Sequence, residues 1–250
     1  MMKDFIFGLR AVIEALEAGK TVDRILMRRE LGGELAKELL ETAARYDVPV
    51  QRVPLEKLNR VTMKNHQGAV AYLSPVEYYR LDRLIPQFYD EGRVPLVVVL
   101  DGVTDARNFG AIARSCDCGG VDAIVIPERG SASASSDAVK ASAGALFYVP
   151  VCREKTVESA VRQLHDSGYL VIGASEKGAE SYTKVDYTVP VAIVMGAEDT
   201  GISPEVMRRC DSLVSIPMLG DIGSLNVSVA GGVMIYEAVR QRLDAGFINK

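Results

Sequence analysis

PLVVVLDGVTDARNFGAIARS, residues 95–115, decides the fold. Val97–Leu100 is a continuous apolar run with no polar alternation. A strand of that kind is buried on both faces, as in a parallel sheet covered by helices. Asp101 and Gly102 open a turn, and the small and apolar residues from Gly110 to Cys118 then read as a helix. The same unit recurs downstream. Ala123–Ile126, Tyr169–Gly173, Val191–Met195 and Leu213–Ile216 are further strands, with helices expected over Thr156–Asp166, Pro204–Cys210 and Asn226–Leu243. Strands alternating with helices predict an α/β domain built on a parallel sheet. SASASSDAVKASAGA, residues 131–145, reads as a small-residue loop running into a helix.

Toward the N-terminus, VEYYRLDRLIPQFYDEGRV, residues 76–94, is charged and aromatic and reads as a linker. Before it lies a second, smaller α/β pattern. Leu9, Val12, Ile13 and Leu16 recur at helical spacing, with Gly19 placed to end the helix. Arg24–Met27, Val48–Val53 and Ala69–Leu73 read as strands, Glu34–Tyr46 as an amphipathic helix, and Pro54–Arg60 as a short helix opened by proline. The expected domains are therefore 1–75 and 95–250, joined by 76–94.

The 250 residues are 48% hydrophobic and 25% charged, the balance of a soluble globular protein. No apolar run approaches the roughly 18 residues of a membrane span. The N-terminal MMKDFIFGLR lacks the apolar core of a signal peptide, so a cytoplasmic protein is expected. Of four cysteines, Cys116 and Cys118 form no zinc spacing, and no disulfide framework is apparent. No metal site is expected, and the sequon at Asn226 carries no glycan meaning. Net charge is −4, but it is unevenly spread: residues 1–75 hold 12 basic and 10 acidic side chains, residues 95–250 hold 14 and 19. A polyanion would find its grip in the first part.

Ligands of an open parallel sheet bind beyond the carboxyl ends of the strands. Three loops there are rich in glycine and small polar residues: DGVTDARNFGAIARS, MGAEDTGIS and IPMLGDIGSLNVSVAGG. No dinucleotide or P-loop glycine fingerprint follows any strand. Ser181 and Lys184 match one isolated fragment of a β-lactamase signature, a chance hit. His66 and His165 fall in different expected domains, so neither reads as a triad base.

N-F-G-A-I-A-R (Asn108–Arg114), V-M-G-A-E-D-T-G-I (Val194–Ile202) and I-P-M-L-G-D-I-G-S-L-N-V-S-V-A (Ile216–Ala230), in this order, resemble the three signature motifs of the SpoU, or TrmH, family of RNA ribose methyltransferases, of the SPOUT class. F-G-L-R-A-V-I-E-A-L near the start and N-H-Q-G-A-V-A (Asn65–Ala71) are similar to the RNA-binding domain of enzymes that methylate guanosine riboses of 23S rRNA, a domain resembling certain ribosomal proteins. The resemblance implies methyl transfer from S-adenosylmethionine to a ribose 2′-hydroxyl, a homodimer, and a trefoil knot in the C-terminal backbone. Periodicity alone would reject a knot. A tRNA target and a non-catalytic RNA-binding assembly factor are the alternatives.

The resemblance also assigns residues. Gly196, Ile216 and Leu225 match positions whose main-chain groups hold the cofactor, and Met218 packs on it. Arg114 matches the catalytic arginine. A guanidinium keeps its proton, so stabilising a developing alkoxide or a neighbouring phosphate is preferred to a base role. Asn108, Glu198 and Asn226 complete the polar set, with Glu198 placed to fix Arg114 or another donor. Helix capping is an alternative for both Asn226 and Ser224. In the last helix Val229, Val233, Tyr236 and Val239 form one apolar set, and Val227, Ala230, Met234 and Ala238 another. A helix apolar on two sides can bury one and offer the other to a second copy, with Gly231 and Gly232 allowing a close backbone approach.

Overall fold

The computed structural model describes residues 5–247. The outermost residues of the two expected domains, 1–4 and 248–250, lie outside it, as does the start of the MMKDFIFGLR segment. The chain divides into two compact units, one ending at Val76 and one beginning at Glu77.

Unit one runs β1 (Phe5–Phe7), α1 (Leu9–Glu17), β2 (Val22–Arg28), α2 (Glu34–Arg45), β3 (Val50–Val53), α3 (Leu55–Val61) and β4 (Ala69–Leu73). Its sheet has the order β1-β4-β2-β3. β2 and β3 are parallel, and β4 runs antiparallel to both its neighbours. α1 buries Leu9, Val12, Ile13 and Leu16, as its spacing predicts, and Gly19 follows it at φ 72°. With Leu39 and Ala43 of α2 these side chains cover one sheet face around Ile25, Met27 and Ala71. On the other face α3 packs over Leu26, Val53 and Val70.

Unit two runs β5 (Tyr78–Tyr79), α4 (Leu81–Asp90), β6 (Leu96–Asp101), α5 (Ala106–Cys118), β7 (Ala123–Pro127), α6 (Ser136–Ala141), β8 (Val151–Glu154), α7 (Val157–Asp166), β9 (Leu170–Ala174), β10 (Glu180–Ser181), β11 (Val191–Gly196), α8 (Pro204–Met207), β12 (Ser212–Ser215) and α9 (Val227–Asp244). The eight strands pair in parallel in the order β10-β12-β9-β11-β6-β7-β8-β5. After β6 the chain lays down β7 and β8 on one side. It then crosses to the other, leaving β6 and β11 as neighbours whose connections depart in opposite directions. That is a switch point, where a crevice forms at the carboxyl edge.

From Glu77 onward the segment read as a linker is ordered structure of unit two. β5 pairs with β8, and Leu81, Leu84, Ile85 and Phe88 of α4 enter the main core beside Val97, Val125 and Val161. Spacing at i, i+3, i+4 and i+7 explains the burial, with the charges on the opposite side. Buried Glu154 clamps the start of α4, accepting from Leu81 N at 2.9 Å and pairing with Arg80 at 3.1 Å. At the far end of the unit, buried Arg242 of α9 donates to the carbonyls of Tyr187, Val94, Pro95 and Val189. Desolvation lowers its pKa, and the four carbonyls take the place of a carboxylate partner.

Candidate active site

α5 begins at Ala106, earlier than its apolar pattern suggests, because Asp105 caps it. The carboxylate accepts from Arg107 N at 2.7 Å and Asn108 N at 3.1 Å. The Arg107 side chain and these two amides hold Asp105 below the usual carboxylate range. Asn108 therefore sits in the first helical turn, fixed at the carboxyl end of β6, rather than in a loop.

At the neighbouring end of β11, Gly196 leads into a tight loop closed by a bridge between Ala197 and Gly201. A Cβ on Gly196 would lie 2.1 Å from Gly201 C and 2.2 Å from Ile202 N. Glycine is needed here by the loop's own backbone. The loop delivers Glu198, whose Oε1 accepts from Asn108 Nδ2 at 2.5 Å. Asn226, the N-cap of α9, donates from Nδ2 to Asn108 Oδ1 at 3.1 Å, while its own Oδ1 accepts from Ser228 N at 2.9 Å. Asn226 thus caps α9 and holds Asn108 at once, and Ser224 is not the cap. Three segments far apart in sequence are joined by one hydrogen-bonded chain, Asn226–Asn108–Glu198.

Beside this chain lies a cavity of about 500 Å³ at the carboxyl ends of β9, β11 and β12. Gly196, Ile216, Met218 and Leu225 all line it, with Glu198, Ser224 and Val227. Glu176 and Lys177, not singled out from the sequence, line it as well. The signal was available, because their loop also follows a strand at the same edge.

Arg114 stands apart. It lies on the exposed side of α5, away from buried Phe109, Ile112, Ala113 and Cys116. It has no hydrogen bond or ion pair among the described residues, and Glu198 is engaged by Asn108 instead. On α9, Val227, Met234 and Ala238 are buried as one set, while Val229 and Tyr236 of the other are each 52% exposed. Gly231 and Gly232 have ordinary room for a Cβ within this chain. The tight α5–α9 contact is made instead by Gly119, where a Cβ would lie 2.4 Å from Ile235 Cγ2. Among the described residues no group of His, Cys, Asp and Glu could hold a metal ion, and no helix is long and apolar enough to cross a membrane.

Comparison with known proteins gives two family matches. The profile of the SpoU rRNA Methylase family covers residues 95–236. That of RNA 2′-O ribose methyltransferase substrate binding covers residues 5–79. A Staphylococcus saprophyticus protein assigned to the TrmH family of tRNA/rRNA methyltransferases is 36% identical over 237 residues, 95% of each chain. The AdoMet-bound rRNA methyltransferase from Sinorhizobium meliloti is 28% identical with a TM-score of 0.60, over 94% of this chain and 86% of that one. The A. aeolicus TrmH/SpoU tRNA modifying enzyme is 29% identical with a TM-score of 0.56, over 66% of this chain and 86% of that one.

Proposed function

The chain belongs to the SpoU rRNA methylase family of RNA ribose 2′-O-methyltransferases, and we propose that it transfers the methyl group of S-adenosylmethionine to a ribose 2′-hydroxyl in 23S rRNA, on a guanosine. The observation that carries the reading is the Asn226–Asn108–Glu198 chain, set at the β6–β11 switch point beside a ligand-sized cavity.

The cavity's chemistry fits the cofactor. Its volume is that of a small-molecule site. Met195, Ile202, Ile216 and Met218 offer apolar surface to an adenine ring, and the main chain at Gly196, Ile216 and Leu225 offers donors and acceptors to its edge. Glu176, Lys177, Glu198 and Asp199 supply both charge signs for a sulfonium and an amino-acid zwitterion. When bound, the cofactor supplies an electrophilic methyl group. The protein's own contribution is positioning and preorganised charge: Asn108, held from both sides, orients the acceptor, and Arg114 stabilises the alkoxide or the adjacent phosphate while the hydroxyl proton leaves to solvent.

Because Arg114 is exposed on α5, the reading makes the enzyme a homodimer in which Arg114 of one copy completes the site of the other. The open Val229–Tyr236 side of α9 supports a second copy there. A ribosomal target is favoured over tRNA because the rRNA enzyme aligns with 94% of this chain, whereas the tRNA enzyme aligns with 66%. The free cysteines suit a reducing cytoplasm.

The test is incubation of labelled S-adenosylmethionine with RNA from a strain lacking the protein, followed by nucleoside analysis. Label in 2′-O-methylguanosine of 23S rRNA is expected. Label confined to tRNA favours the tRNA reading, and cofactor binding without any transfer favours the non-catalytic one. For the dimer, mixing an Arg114→Ala chain with a cofactor-site variant restores activity only if the sites exchange residues. A fully active 27.1 kDa species in sedimentation would overturn it.

A further inference from the structure

Unit one leaves part of one sheet face only partly buried. α3 packs over Leu26, Val53 and Val70, and among the described residues no helix of unit one covers the part of that face formed by β1 and the neighbouring ends of β4 and β2. There the register sets Phe5 opposite Tyr72 and Tyr72 opposite Arg24, a row across three strands. The Phe5 ring lies 6.4 Å from Tyr72, edge to face, and 6.4 Å from Phe7. The Arg24 guanidinium sits 4.8 Å over the Tyr72 ring. All three rings are only partly buried and Arg24 is exposed. By alternation along β2, Arg28 shares this face. Its Nε is buried and has no hydrogen-bond partner, an unmet donor of the kind that calls for a ligand or an ordered water. No strand position on this face holds a carboxylate; Asp23, 3.7 Å from Arg24, alternates to the other side.

We propose that this aromatic and arginine face is a stacking platform for unpaired RNA bases. The proposal rests on the reading that the chain acts on RNA, and the substrate-binding profile, which starts at Phe5, covers the whole platform. The chemistry selects the partner. Every base presents a π-face, so rings on an open four-stranded sheet bind single strands without reading sequence. Guanidinium planes stack on the same surfaces and meet phosphate charge. A duplex keeps its bases stacked inside and offers such rings nothing.

The test uses the full chain. Phe5→Leu combined with Tyr72→Leu keeps apolar bulk but removes two π-faces. It should weaken binding of a short unpaired RNA by at least about tenfold, leaving S-adenosylmethionine binding and duplex-RNA binding unchanged. Parental affinity in the double variant overturns the platform, and so does an equal loss for single-stranded and duplex RNA. The sequence holds no tryptophan, so Tyr72→Trp places a lone reporter and decides the matter if the leucine variant does not fold. Quenching of its emission by the unpaired RNA is expected, and unchanged emission at saturating RNA refutes the proposal. If the unsubstituted chain binds no RNA at all, the function reading fails, and the platform with it.

Discussion

The two units solve the burial of a sheet differently. In unit two the β6 and β11 strands are enclosed on both faces, so nearly every side chain from Leu96 to Leu100 and from Val191 to Met195 is core. Chemistry is pushed to the strand ends, where loops can close on a ligand. In unit one, β1 and β4 keep partly exposed rings on one face, and basic residues slightly outnumber acidic ones. The enclosed sheet makes a rigid frame for a cavity; the half-open sheet makes a surface. The proposed division of labour follows, with chemistry in unit two and RNA recognition in unit one.

The largest effect expected within this comparison is on catalysis. Arg114→Ala should reduce methyl transfer far more than tenfold, with cofactor binding and unit-one RNA binding preserved. A loss below about 1.4 kcal/mol in the barrier would remove Arg114 from any central role. Gly196→Ala comes next. Its Cβ collides with the Gly201–Ile202 backbone, so a stability loss of about 1–3 kcal/mol and weakened cofactor binding are expected, measured by denaturant melts and calorimetry. Unchanged values would show that the loop relaxes freely.

In unit one, buried His66 bonds Asn59 Oδ1 at 3.0 Å and accepts from Gly68 N at 3.0 Å. His66→Ala should cost about 1–3 kcal/mol, read as lost amide protection in residues 5–76 alone. Protection lost equally in unit two would mean the units do not behave independently. The smallest effect belongs to Asp105→Ala, a slight destabilisation from the lost cap, read in denaturant melts. Because the folded pKa of Asp105 is depressed, its contribution is present above the ordinary Asp range and fades as pH falls through the lowered value. The variant should show a flatter acid limb of stability, and an unaltered limb would count against the cap.

Much of this was legible in the sequence. The apolar runs located β6, β7, β9 and β11, because a strand buried on both faces admits few polar residues. β8 escaped notice since Arg153 and Glu154 make half of it charged, although both are buried. α4 was hidden by its charged outer side and by Pro86 within it, while its apolar stripe was there to be read. The three glycine-rich loops were legible because one strand-end rule gathers them at one edge, whereas the cofactor candidates within them came from the family resemblance. What the chain order could not disclose is that Asn108, Glu198 and Asn226 bond to one another, since that depends on β6 and β11 being neighbours. Nor could periodicity indicate a knot, which rests on family resemblance alone.

The division of labour is tested most directly by comparing the whole chain with residues 77–250, measuring cofactor affinity and kcat/KM on 23S rRNA in parallel. The account predicts equal cofactor affinity in both and a fall of at least about tenfold in kcat/KM for the fragment, roughly 1.4 kcal/mol. A fragment that binds cofactor and methylates rRNA as efficiently and selectively as the whole chain would contradict it.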